Sequence, residues 1–343
     1  LSSSSAASDV YKRQIIDRKY NMSNPTVSVI IPVYNAQEGI KQCLDSLLNQ
    51  SFTDFEIILL NDGSTDNSLE VIKKYAADND FIRVIDKENE GVAKTRNKGI
   101  QLANGKYIVF IDNDDFVDSD YLERFYNEID QEQLDIVLGG YKRVNQEMKT
   151  LFKQDLTQSE WSKYIVVAPW ARIYRTSFLT DNNIQFFDYP IGEDVIFTLT
   201  AYNLTEKIKI IDYNGYNWFF NEKSISNTSQ RGFNPNIDIV YFLSHLLQVA
   251  GDSKYIRYFI KRYYIWYLLF SGRAASSSSF MDQYRRIKQW ISKENLDSNL
   301  TPLSSEITGE RIQTVISVMV FRTLEHLRLV PLFSKFYCKG KEK

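Results

Sequence analysis

Between Thr26 and Ile111 two kinds of hydrophobic pattern alternate. The runs TVSVIIPVY (26–34), DFEIILL (54–60), FIRVID (81–86) and KYIVFID (106–112) are apolar and β-branched, and they read as buried strands. Between them lie segments of helical period. In EGIKQCLDSLLNQ (38–50), Ile40, Cys43, Leu44, Leu47 and Leu48 share one face. SLEVIKKYAADN (68–79) and GVAKTRNKGIQLA (91–103) follow, the second closed by Asn104-Gly105. Strand and helix taking turns in this way predict an α/β fold with a mostly parallel sheet and flanking helices. Ligands bind such sheets beyond the carboxyl ends of the strands. PVYN (32–35), NDGSTD (61–66) and DNDD (112–115) all fall there.

Further along, DIVLGGYKRVN (135–145) and KIKIIDYNGYNWFF (207–220) each predict one strand, and residues 160–203 predict short helices and loops. After about Phe233 the pattern turns helical, over 234–250, 253–271, about 280–293 and 305–329, with KFYCKGKEK as a frayed basic tail. This divides the chain into an α/β catalytic domain, 25–232, and a helical subdomain, 233–343. Residues 1–24 are set apart, because LSSSSAASDVYKRQ resembles adapter read-through and has no signal-peptide core.

The bulk numbers remove several classes. The formal charge of the 343 residues is −2, so no global basic field argues for nucleic acid. Cys43 and Cys338 are too few for a disulfide framework or a zinc site, and they suit a reducing compartment. No apolar run reaches the roughly 18 residues of a spanning helix. The nearest, 254–270, carries Lys254, Arg257, Lys261 and Arg262.

The chemistry concentrates in five places. Asp112, Asp114 and Asp115 lie within four positions and repel one another unless a positive partner is present. If strand geometry persists, Asp112 and Asp114 point to one side, and hard divalent cations take such oxygen ligands. Turn formation and helix capping are the rival reading. Asp62 stands at a strand end, where a carboxylate can accept from a nucleobase N–H, while the rest of NDGSTDNS reads as a turn in which Ser64 or Asp66 caps a helix. In ENEGVAKTRNKG, Gly91 opens a helix suited to an anion, and Arg96 is the candidate to pair with a diphosphate or with the aspartates. Lys94 and Lys98 read equally as a solvated face. Glu193-Asp194 in YPIGEDVIF sit in a helix's first turn, where acids are stabilising in any case, and there a carboxylate can act as general base toward a hydroxyl. Trp170 suits sugar stacking or the core.

In this order, PVYN, NDGSTD, ENEGVAKTRNKG, YIVFIDNDD and GEDVIF resemble the family 2 glycosyltransferases of GT-A fold, across roughly residues 25–220. The resemblance implies a nucleotide-diphosphate sugar donor (UDP first), Mn²⁺ or Mg²⁺, inversion at the anomeric carbon, and a hexosyl or N-acetylhexosaminyl group moved in bacterial surface-polysaccharide synthesis. It implies that Pro32, Tyr34, Asn35, Glu38, Asp62, Arg96, Asp112 and Asn113 bind the nucleotide sugar. Asp114 and Asp112 would hold the metal, Asp194 would be the base oriented by Glu193, and Trp170 would meet the acceptor. Thr95 stands where the family usually has alanine, and Arg172 where many members have lysine. The Q-x-x-R-W element of processive synthases is missing, which implies addition of one sugar per encounter. A glycan or lipid-linked acceptor places the protein in the cytoplasm or at the inner face of the plasma membrane. Helix 254–270 and LRLVPLFSKFYCKGK (327–341) are candidates for surface contact, against a helical subdomain that packs or forms a homodimer. An inactive nucleotide-sugar-binding protein is the alternative function. A phosphatase-like hydrolase with an aspartate nucleophile after a strand is a third, but it has no use for NDGSTD and GEDVIF.

Overall fold

The computed structural model describes residues 24–220 and 232–340. The first half alternates as expected: β1 (Val27–Val33), α1 (Ile40–Leu48), β2 (Phe55–Asp62), α2 (Ser68–Asp78), β3 (Ile82–Lys87), α3 (Val92–Leu102) and β4 (Tyr107–Phe110). There follow β5 (Phe116–Val117), α4 (Tyr121–Gln131), β6 (Ile136–Leu138), β7 (Tyr141–Val144), β8 (Thr150–Gln154), a 3₁₀ turn (Glu160–Tyr164), β9 (Arg172–Arg175), α5 (Thr176–Asp181), α6 (Glu193–Asn203), β10 (Ile208–Ile210) and β11 (Tyr216–Phe219). The helical end comprises α7 (Ile239–Ala250), α8 (Lys254–Gly272), α9 (Ser277–Lys293), α10 (Ile312–His326) and α11 (Val330–Tyr337).

Two sheets form, β10-β6-β9-β4-β1-β2-β3 and β5-β11-β7-β8. In the large sheet only β9 runs antiparallel, against β4 and β6. The central strands β1, β2 and β4 are buried along their whole length, which explains their unbroken apolar runs. Pro32 sits within central β1, where a missing N–H normally breaks a ladder. It is tolerated because β4 pairs only with Val27–Ile30, and Pro32 faces that side, its carbonyl accepting from Asn113 Nδ2 at 2.8 Å, so the missing N–H points past the end of β4.

Four expectations change. Strand β4 ends at Phe110, and IDNDD forms a turn in which Asp115 N–H donates to Asp112 O at 3.1 Å, so strand alternation does not align Asp112 with Asp114. Each predicted single strand at 135–145 and 207–220 is two strands, one in each sheet, because the chain crosses between sheets at Gly139-Gly140 and at 211–215. A Cβ on Gly140 would lie 2.0 Å from Asn214 Oδ1 and 2.1 Å from Gln154 O, so only glycine fits that crossing. Residues 160–203 contain a strand, β9, whose four-residue RIYR pattern is too short to read as one. Helix α11 runs over 330–337, so the expected frayed tail, 335–343, begins as helix.

Two compact units result. One comprises residues 24–156 with Ala168–Tyr189 and Glu193–Phe220. The other comprises Thr157–Val167, Pro190–Gly192 and residues 232–340. The cut therefore differs from a single boundary at 232, since Thr157–Val167 packs with the helices: Trp161 Nε1 donates to Glu310 at 3.1 Å, and Arg262 pairs with Glu310 at 2.5 Å. Helix α8 is mostly buried, Tyr258, Phe259, Ile260, Tyr264 and Leu268 among others, which makes it a core helix rather than a surface-binding one. Among the described residues no helix is long and apolar enough to cross a membrane.

In the first unit α3 lies so close on β1 that a Cβ at Gly99 would stand 2.4 Å from Ile30 Cγ2. Gly99→Val overpacks this contact and is expected to lower unfolding stability by about 1–3 kcal/mol, read from the midpoint of a urea titration with unchanged slope.

Candidate active site

The carboxyl ends of β1, β2 and β4 converge as the sequence predicts, and hydrogen bonds lock them together. Asn113 Nδ2 donates to Pro32 O at 2.8 Å, joining the DNDD turn to PVYN. Asn35, in the left-handed region at φ +48°, accepts from Thr65 N–H at 2.8 Å and so joins PVYN to NDGSTD. Asp66 accepts from Ser68 N–H at 2.9 Å, the turn role expected of it, and from Gln37 N–H at 3.2 Å. Gly39 lets the start of α1 approach the turn, since a Cβ there would stand 3.2 Å from Asp114 Cα. Tyr34 is half exposed at this rim, and Glu38 is exposed beside it.

The three aspartates of DNDD have three fates. Asp112 pairs with Arg96 Nη2 at 2.7 Å. The positive partner demanded by the cluster is thus supplied in part by α3. Asp115 is buried and faces away into the second sheet, accepting from Tyr216 Oη at 2.5 Å and from Phe219 N–H at 2.8 Å. Burial, with Asp114 and Asp112 nearby, pushes its carboxyl well up. Asp114 is half-buried, and burial and then the charge of Asp112 raise it to about 6. The turn therefore carries more negative charge than Arg96 alone offsets.

Arg96 also reaches Glu193 Oε1, at 3.5 Å from Nη1. Its guanidinium is buried, rests over the Phe186 ring at 5.2 Å, and leaves Nε and Nη1 without hydrogen-bond partners. One cation thus stands between the DNDD turn and the first turn of α6. Asp194, half-buried beside Glu193, is raised to about 7 by burial and by Glu193, with Arg96 opposing. Its Oδ1 accepts from its neighbour Val195 N–H at 2.8 Å.

Two expected ligands are already engaged. Asp62 holds Lys87 Nζ and accepts from Glu90 N–H at 2.9 Å and Gly91 N–H at 3.0 Å. Burial pushes its carboxyl up, but these bonds outweigh that and lower it. Trp170 stacks on Tyr216 with ring centroids 4.6 Å apart and planes at 8°, so that face is closed to a sugar and the core alternative describes it. Arg172 is buried too, donating to Tyr202 Oη at 2.9 Å and Trp170 O at 3.0 Å.

Sequence reading missed Tyr216, whose hydroxyl meets both Asp115 and, at 3.3 Å, Asp112 N–H. It also missed the partner of Asn97, which exchanges two hydrogen bonds with the Phe186 backbone, at 2.9 and 2.7 Å. The Asn97 neighbour of Arg96 was a visible signal. Tyr216, in a tyrosine-rich strand 101 positions from Asp115, had none.

Carboxylate oxygens suit Mg²⁺ or Mn²⁺. Among the described residues no three acidic, His or Cys side chains converge to hold a metal. Asp112, already paired with Arg96, and Asp114 lie on one turn, and a cation held by them would take its remaining ligands from phosphate oxygens and water, as Mg²⁺ commonly does.

The pattern of Glycosyl transferase family 2 matches residues 28–226, well over half of the chain. The chain belongs to this family. The uncharacterized glycosyltransferase EpsJ of Bacillus subtilis (strain 168) is 31% identical over 316 residues, covering 84% of this chain and 91% of EpsJ. The poly(ribitol-phosphate) beta-glucosyltransferase of Bacillus spizizenii is 36% identical over 203 residues, covering 55% of this chain but only 32% of that enzyme. In fold, the chain is similar to Staphylococcus aureus TarS 1–349 solved with UDP-GlcNAc, at a TM-score of 0.63 and 23% identity over 90% of this chain and 89% of TarS 1–349. The family 2 assignment and this likeness make the first unit a GT-A domain, which a helical C-terminal region follows in the chain.

Arg96→Met keeps the stem but removes the charge, leaving Asp112 and Glu193 facing one another. Nucleotide-sugar affinity is expected to fall at least about tenfold, in line with about 1.5–3 kcal/mol for a lost charge-assisted bond, as measured by calorimetry. Arg96→Lys should recover only part of this, because one ammonium cannot serve both carboxylates in the guanidinium's geometry.

Proposed function

We propose that this glycosyltransferase is a non-processive, inverting enzyme that moves one sugar from a UDP-sugar to a hydroxyl of a glycan or lipid-linked acceptor in bacterial surface-polymer synthesis. The observation that carries it is Arg96 lying between Asp112 and Glu193, which ties a donor-side carboxylate to the base side of the site.

The steps are assigned as follows. The PVYN and NDGSTD loops receive the nucleotide, with Asp62 fixed at their edge by Lys87 and the Glu90 and Gly91 N–H groups. Asp112 and Asp114 would hold a divalent cation, which when bound supplies positive charge against the diphosphate. Arg96 adds a fixed cation and needs no reorganisation as negative charge grows on the leaving group. Asp194 accepts the proton of the acceptor hydroxyl while that oxygen bonds to the anomeric carbon and the bond from that carbon to the diphosphate oxygen breaks. Attack from the face opposite the diphosphate gives inversion. Glu193, paired with Arg96, keeps a second negative charge beside Asp194 and so raises its basicity. UDP is favoured because TarS, a fold neighbour, was solved with UDP-GlcNAc. Surface-polymer acceptors are favoured by the names of relatives such as the poly(ribitol-phosphate) beta-glucosyltransferase.

A general base pushed up to about 7 titrates near neutrality. Activity requires its ionised form, so kcat/KM is expected to rise with pH through about 7 and to level off above. Stability runs the other way. A carboxyl whose folded pKa is raised contributes most at low pH, and the contribution is lost as pH climbs from its unfolded value toward 7. Asp194→Asn should cut transfer by two orders of magnitude or more, roughly the worth of a general base, while calorimetry still shows metal-dependent UDP binding. Wild type that binds UDP yet transfers no sugar to any acceptor would instead support the nucleotide-sugar-binding alternative. With a defined acceptor the product should be a single addition, so a ladder from one encounter would refute the non-processive reading.

A further inference from the structure

Helices α10 and α11, at the end of the helical unit, leave a large apolar surface without a protein partner. On α10, Val318 and Phe321 face inward, while Ile312, Ile316 and Val320 recur every four residues on the outside at 63%, 55% and 51% exposure. The stripe continues through Leu327 and Leu329 in the turn. On α11, Val330 and Ser334 are buried, Phe333 meets Phe280 and Phe321, and the Ser334 hydroxyl bonds Ser277 at 2.8 Å. The outer face carries Leu332, Lys335 and Phe336, with Lys339 just beyond, at the i, i+3, i+4, i+7 spacing of one helix side. Phe336 is 81% exposed.

Charge selects the occupant. From Arg311 onward the chain has seven Lys or Arg and two Glu, in a protein whose formal charge is −2. Positive side chains alternate with the exposed apolar ones: Arg328 between Leu327 and Leu329, and Lys335 beside Phe336. A second copy docking through this face would place the same patch against itself, bringing like charges together. A hydrophobic peptide partner would leave the lysines without counter-charge. An anionic bilayer offers both components: acyl chains for Leu332 and Phe336, and phosphate headgroups for Lys335 and Lys339, whose aliphatic stems lie along the apolar surface while the ammonium groups stay in the headgroup layer.

We propose that α11, with the adjoining Leu327–Leu329 turn, is a monotopic docking surface for anionic phospholipid. It rests on surface chemistry alone and does not depend on the transferase reading.

The experiment is flotation of the full chain with vesicles of phosphatidylcholine containing phosphatidylglycerol, alongside pure phosphatidylcholine vesicles. The protein should float with the anionic vesicles, and raised salt should release it. Lys335→Glu/Lys339→Glu should weaken partitioning by more than about tenfold, since each basic residue near an anionic surface contributes appreciably. Phe336→Ser should weaken it by about tenfold at unchanged charge. Far-UV circular dichroism and the thermal unfolding midpoint should be unchanged in all variants, which shows that they are folded. Failure to float, equal binding to neutral vesicles, or flotation unaffected by both variants would overturn the proposal. So would a concentration-dependent dimer in light scattering that Phe336→Ser abolishes, because a second copy would then occupy the face.

Discussion

A guanidinium buried among carboxylates is the constraint around which the catalytic unit is arranged. Burying Arg96 is costly unless acids stay within reach, and keeping Asp112 and Glu193 close is costly unless a cation lies among them. Each therefore requires the other. Helix α3 supplies the cation, the turn after β4 supplies one acid and the first turn of α6 supplies the second. Asn97, next in sequence, holds the Phe186 backbone by two hydrogen bonds and so fixes the segment that leads to α6. The phenyl ring at that position covers one side of the guanidinium. Three chain segments that are remote in sequence are thus positioned by two adjacent residues.

The DNDD turn shows how one short acidic run divides its work. Asp115 is spent on structure, tying the turn to β11 through Tyr216 and the Phe219 amide. Asn113 ties it to the end of β1. Asp112 and Asp114 are then held by a frame rigid on both sides. Burial, and then the charge of Asp112, hold the Asp114 carboxyl up at about 6, so a cation bound beside it would favour its ionised form.

Much of this was legible from residue order. The parallel core could be read because β1, β2 and β4 are buried on both faces and their sequences are correspondingly apolar throughout. The convergence of PVYN, NDGSTD and DNDD followed from the rule that parallel strands present their carboxyl ends to one edge. What escaped has a common cause. Strand β9 has four residues, and β6, β7, β10 and β11 have three or four each, too short for alternation to declare itself. The engagement of Asp62 by Lys87 and the stacking of Trp170 on Tyr216 are tertiary contacts, and residue type alone allowed a ligand or a core role for both.

The glycine pair at 139–140 has an evolutionary consequence. The chain changes sheet there once, and again at 211–215, and the two crossings lie against each other, with Gly140 N–H donating to Tyr213 O at 2.9 Å. A residue inserted at this corner would invert the inward and outward faces of the strand that follows. Residues added at the β7–β8 hairpin would lengthen the second sheet and leave the first in register. Descendants of this chain can therefore remodel the smaller sheet by growth at its far turn, while the nucleotide-facing sheet keeps its alignment across the same divergence.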